Sequence, residues 1–106
     1  MIKKITWVPQ AKVEVFDTGR AYGPEGQIIA YSVEPNGDIV FADVTRGISG
    51  RVKGPRCPVG TSARRNLMYK YDRHEYDDWL PSEISRPLYD IAQEFINENP
   101  EGIDTN

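Results

Sequence analysis

The segments Gln27-Ile-Ile-Ala-Tyr-Ser-Val33 and Ile39-Val-Phe-Ala-Asp-Val44 flank the turn sequence Glu34-Pro35-Asn36-Gly37-Asp38. Asn-Gly tolerates the positive φ angles of a tight turn, and β-branched and aromatic side chains suit a pleated surface. The pattern therefore predicts an antiparallel hairpin. Because both segments are apolar at nearly every position, we expect them in the centre of a sheet or covered on both faces.

Further strands are predicted on either side of the hairpin. Upstream, Ile5 and Trp7 alternate with polar residues, and Val13 and Val15 do the same, which indicates two half-buried strands. Downstream, Leu67-Met-Tyr-Lys-Tyr71 reads as one more strand. The sheet would then hold about five or six strands.

The C-terminal region carries a helical pattern. Ser85 offers an N-cap with Pro87 in the first turn, and Asn99-Pro100 ends the pattern. The apolar residues of its stripe are Leu88, Ile91, Ala92, Phe95 and Ile96. We predict an α+β fold, with a mainly antiparallel twisted sheet or small open barrel packed against this one amphipathic helix.

The domain organisation follows from length and composition. A chain of 106 residues has the size of one domain, which we place at residues 1–98, followed by a flexible tail at 99–106. Within this domain, glycines and prolines predict a basic loop at about 46–66, with a short strand around Arg51-Val52-Lys53. With Cys57 as the single cysteine and no apolar run of membrane-spanning length, we expect a cytoplasmic protein without a membrane role.

Charge is segregated along the chain. Residues 46–70 carry seven basic and no acidic side chains, whereas residues 71–106 carry two basic and ten acidic ones. The basic segment, with nearby tyrosines, is our candidate binding site. Its residues are Arg46, Arg51, Lys53, Arg56, Arg64, Arg65, Tyr69 and Tyr71.

Three classes of function remain open on this pattern. The first is a non-catalytic accessory or adaptor domain that binds another protein, or a second copy of itself as a homodimer, through the segregated charges. The second is a nucleic-acid-binding module that uses the basic segment. The third is a small-ligand binder or enzyme with a pocket built from scattered residues. Alternatively, the basic segment pairs with the chain's own acidic end. The small size and short elements would also suit an accessory protein of a mobile element.

Catalytic and metal-binding motifs find no support. His74 is the single histidine, so a zinc site lacks its usual ligands, and a hard-cation site would need Asp72, Asp77 and Asp78 together. Cys57 lies beside cations that would favour a thiolate, but His74 is the one histidine that could act as its base. We therefore predict no catalytic residues, no metal and no cofactor.

Overall fold

A computed structural model describes residues 13–17, 27–54 and 57–100 of the chain. In this part the strands are β1 (Val13–Asp17), β2 (Ile28–Val33), β3 (Ile39–Asp43) and β4 (Ile48–Val52), and the helices are α1 (Thr61–Asp72) and α2 (Ser82–Glu98). The four strands form an antiparallel sheet in the order β1-β2-β3-β4. The α+β class and the antiparallel sheet are confirmed. Neither described helix is long and apolar enough to cross a membrane.

The predicted hairpin is confirmed as β2 and β3. The Gly37 N–H donates to the Glu34 carbonyl at 2.8 Å, and the Asp38 N–H donates to Asn36 Oδ1 at 2.9 Å. Gly37 has a φ of 98°, a value that glycine adopts without the steric cost of a Cβ atom. Both strands are buried along almost their whole length, as their continuous apolar sequence predicts.

The reason for that burial is that each face of the sheet is covered by one helix. Ile28, Ala30, Val40 and Ala42 pack against α2, while their neighbours in the strands pack against α1. Successive residues of a strand point to opposite faces, so an apolar strand needs a cover on both. The side chains that α2 supplies are Ile84, Leu88 and Ala92; those of α1 are Ala63, Leu67 and Tyr71.

The prediction of a strand at Leu67–Tyr71, and of a single helix, is wrong. These residues belong to α1, which buries Ala63, Leu67 and Tyr71 at four-residue spacing. Leu67, Tyr69 and Tyr71 alternate with a period of two, which is typical of a strand. The side chains that are buried follow a spacing of four from Ala63, which is typical of a helix. The described residues contain four strands, against the five or six predicted, and one of the predicted strands lies outside them.

The start of α2 also differs from the prediction. The helix begins at Ser82, and the Pro81 carbonyl accepts the Ile84 and Ser85 N–H groups at 2.9 Å. Pro87 therefore lies inside the helix and not in its first turn, and Ser85 is not a cap. The predicted end is confirmed: α2 stops at Glu98, and Asn99 Nδ2 donates to the Phe95 carbonyl at 3.0 Å.

The segment between the helices carries the chain from one face of the sheet to the other. It passes the edge of β4, where the Arg51 and Asp77 backbones exchange two hydrogen bonds of 2.9 Å. A Cβ atom at Gly50 would lie 2.4 Å from the Asp77 carbonyl oxygen, so this close approach requires glycine. The two helices consequently have outer surfaces that point away from each other.

Three remaining predictions concern segments at the margins of this fold. The basic loop predicted at 46–66 is shorter, because β4 occupies Ile48–Val52 and α1 begins at Thr61. The strand predicted around Ile5 and Trp7 lies outside the described residues, as does the tail beyond residue 100.

Candidate functional site

The basic candidate residues divide into exposed and engaged side chains. Arg46 in the β3–β4 turn, Lys53 after β4, and Arg65 and Tyr69 on α1 are exposed. Arg64 is partly buried, and Arg56 lies outside the described residues. Of the seven predicted residues that the structure describes, four therefore have exposed side chains.

Arg51 is held by the chain itself. Its Nε donates to Glu34 Oε1 and its Nη2 donates to Glu34 Oε2, each at 2.8 Å. Both side chains are largely buried. The carboxylate raises the pKa of the Arg51 guanidinium further above its ordinary value. A bidentate pair of this kind fixes both partners. Arg51 thus joins β4 to the β2–β3 turn and is not available to a second molecule.

Tyr71 is a core residue. It is 5% exposed, and its hydroxyl donates to Asp43 Oδ2 at 2.7 Å. Burial raises the pKa of the Asp43 carboxyl, against the opposing effect of the hydrogen bond from Tyr71. Burial likewise raises the pKa of Tyr71, and the neighbouring carboxyl of Asp43 adds to this effect. The hydrogen bond links α1 to β3, and the Tyr71 ring also makes an edge-to-face contact with the ring of Phe41.

The outer face of α1 holds the exposed part of the candidate site. Arg65 and Tyr69 each lie two residues beyond a buried side chain, which is a rotation of about 200° around the helix. One turn further on, the Arg73 guanidinium carbon lies 3.7 Å from the centroid of the Tyr69 ring. The ring is 55% exposed. Arg65, Tyr69 and Arg73 therefore form a continuous outward line, which we call the basic line.

A shallow depression of about 330 Å³ lies along this basic line. Its lining consists of Ser62, Arg65, Asn66 and Tyr69, and contains no acidic side chain. The Asn66 Nδ2 atom makes no hydrogen bond within the described part of the chain. The surface offers cations, a hydroxyl group and one aromatic ring to a partner.

The outer face of α2 has the opposite charge. Asp90, Glu94 and Glu98 are exposed at four-residue spacing, each two residues beyond the register of buried Leu88 and Ala92. We call these three residues the acidic line. A depression of about 270 Å³ beside it is lined by Asp90, Ile91, Gln93, Glu94 and Asn97.

Another cleft, with a volume of about 440 Å³, lies at the edge of β4. It is lined by Asp38, Arg51, Lys53, Lys70, Glu75, Tyr76 and Asp77. Its lining contains neither Cys57 nor His74, the two residues that a nucleophilic site would need. The described residues hold no group of three His, Cys, Asp or Glu side chains placed to bind a metal ion, and Asp72, Asp77 and Asp78 form none.

Two residues of the exposed surface escape the sequence analysis. Arg73 lies in the acidic third of the chain, but in the structure its guanidinium packs on the Tyr69 ring. Trp79, 64% exposed, lies in the segment between the helices. Recognising α1 from the four-residue spacing of Ala63, Leu67 and Tyr71 would have placed Arg73 correctly; no local signal marks Trp79 as exposed.

Comparisons of the chain with protein-family models, with curated proteins and with solved structures return no match. The site is therefore interpreted from its own geometry.

Proposed function

We propose that the protein is a small non-catalytic accessory or adaptor domain that binds another macromolecule, and that the basic line of α1 docks on a negatively charged protein surface. The observation that carries this proposal is the outward alignment of Arg65, Tyr69 and Arg73, with the Tyr69 ring 55% exposed beneath a guanidinium. An exposed large aromatic ring on a basic helix has no role in packing this domain.

The chemistry of the basic line favours a protein partner. Arginine and tyrosine are enriched among the residues that dominate protein–protein binding energy. Arginine can form bidentate hydrogen bonds with a carboxylate, and tyrosine supplies contact area with little loss of side-chain freedom. A net charge of −3 works against a nucleic acid, which usually binds domains that are basic overall.

Nucleic acid remains the second candidate, for one specific reason. The Tyr69 ring lies between two arginines on one helix face, and base stacking on an aromatic ring flanked by cations is a common mode of single-strand binding. On this alternative Arg65 and Arg73 would contact phosphates.

The test uses fluorescence anisotropy with a labelled poly-glutamate peptide and with labelled single- and double-stranded oligonucleotides. We expect the peptide to bind, with an affinity that falls as salt rises from about 50 to about 200 mM. The variant Arg65→Glu/Tyr69→Ala should bind the peptide about tenfold or more weakly, because two of the three contacts are removed. Arg86→Glu is the matched control, since Arg86 is an exposed arginine on the opposite helix.

Three outcomes bear on the proposal. Equal peptide binding by the wild type, the double variant and Arg86→Glu would contradict it. Oligonucleotide binding that loses about a thousandfold in affinity over the same salt range would favour the nucleic-acid candidate. No binding of either probe at the lower salt would remove the basic line as a site for anionic partners.

A further inference from the structure

The basic line of α1 and the acidic line of α2 have the same spacing. The three residues of each line follow one another at intervals of four, a spacing that extends over about 12 Å in a helix. Arg65 and Arg73, the residue that follows α1, are eight positions apart in the chain, as are Asp90 and Glu98 in α2. Ridges formed by every fourth residue are also the ones that pack most commonly when two helices meet.

One surface carries an exposed aromatic ring and the other a shallow depression. Tyr69 projects from the middle of the basic line, between its two arginines. The depression beside the acidic line has the half-buried side chain of Ile91 next to Asp90 and Glu94. With the two lines side by side, the Tyr69 ring would lie opposite Glu94, the middle residue of the acidic line and part of the depression lining, with the two arginines opposite Asp90 and Glu98.

Within one molecule these two surfaces cannot meet, because α1 and α2 cover opposite faces of the sheet. We propose that the basic line of one copy binds the acidic line of a second copy. This inference rests on the proposed function, and it names the negatively charged protein surface as the outer face of α2.

The arrangement determines the kind of assembly. A closed twofold dimer with two such contacts would need both lines on the same side of the domain. Because the lines lie on opposite sides, a pair of copies joined by one contact still has a free basic line at one end and a free acidic line at the other. A head-to-tail contact that does not close can therefore be repeated into an open chain of copies. On this inference, the second copy considered from the sequence binds head to tail and not as a closed dimer.

The strength of the contact follows from its exposure. Exposed ion pairs each contribute at most about 1 kcal/mol and are screened by salt. We therefore expect weak, reversible association that grows with protein concentration at low salt and disappears at high salt.

The experiment is sedimentation velocity over a concentration series at low and at high salt. The wild type should show an average mass that rises from that of the 12.0 kDa chain past that of a dimer at low salt, and remains monomeric at high salt. Two charge-reversed variants provide the specific test: Arg65→Glu/Arg73→Glu on α1, and Glu94→Arg/Glu98→Arg on α2. Circular dichroism confirms that both fold, which their exposed positions favour.

Each variant alone should stay monomeric, because like charges then face each other in every contact. An equimolar mixture should associate again, since the altered lines complement each other and the unaltered lines do too. A wild type that remains monomeric at low salt, a mass that stops at a dimer, or a mixture that fails to associate would overturn the inference. If poly-glutamate still binds the wild type through Arg65 and Tyr69 in any of these cases, the proposed function stands without this partner.

Discussion

The two helices bury their inner faces in the same way and differ in what they expose. Each places side chains at four-residue spacing on one face of the sheet: Ala63, Leu67 and Tyr71 in α1, and Ile84, Leu88 and Ala92 in α2. Their outer faces carry opposite charge. Packing requires only the inner pattern, so the contrast between the outer faces is not explained by the fold, and we assign function to it.

The largest expected effects come from breaking the shared inner pattern. Leu67→Ala and Leu88→Ala each remove a fully buried side chain, and each should lower the free energy of unfolding by about 2–5 kcal/mol. Arg65→Ala and Glu94→Ala, on the outer faces, should change it by about 0.5 kcal/mol or less. Urea unfolding of the four variants measures the comparison. If an outer-face variant lowered the free energy of unfolding as much as the inner-face variant of the same helix, the outer line would serve stability.

A smaller effect is a dependence of stability on pH, which we expect on the α1 side of the sheet and not on the α2 side. Asp43 is buried under α1, and the raised pKa of its carboxyl means that the folded protein favours the protonated form. Its contribution to stability is therefore greatest below the ordinary carboxyl pKa of 3.8, and it falls as pH rises from there to the raised native value. Asp43→Asn should gain stability relative to the wild type across that window, since asparagine does not titrate.

The same window tests the Tyr71 hydrogen bond. Tyr71→Phe removes a donor from Asp43 and should cost about 1–3 kcal/mol at neutral pH, with a smaller cost below the window, where the carboxyl is protonated. Ile84→Val in the α2 core is the control, because its cost should not depend on pH. Urea unfolding from acid to neutral pH provides both comparisons, and a cost of Tyr71→Phe that is equal at all pH values would contradict the account of Asp43.

The sequence predicts the α2 side of this molecule better than the α1 side. The hairpin carries its own turn signal in Asn36-Gly37, and α2 shows a broad apolar stripe, so both are found from local pattern. In α1 only every fourth residue is fully buried, and most of the others are charged or polar. Leu67, Tyr69 and Tyr71 therefore look like a strand until the sheet supplies the surface on which Leu67 and Tyr71 pack.

The candidate site follows the same division. The concentration of cations in residues 46–70 is visible in the sequence, and Arg65 and Tyr69 are exposed as a binding role requires. Local sequence cannot show that Arg51 is bound to Glu34 or that Tyr71 is bound to Asp43, because both contacts join residues distant along the chain. Tertiary contacts thus engage Arg51 and Tyr71 within the domain, whereas the basic line gains Arg73 from outside the basic segment.

The central claim is that the outer face of α1 is a binding surface. Titration of the ¹⁵N-labelled protein with poly-glutamate, followed by amide chemical shifts, tests it most directly. Under conditions in which copies do not associate, the account predicts that the shifts change along Arg65, Tyr69 and Arg73 and their neighbours in α1, and that the amides of α2 do not move. Shifts that change mainly at Arg51 and Lys53 in the β4 cleft, or evenly over all basic residues, would contradict it.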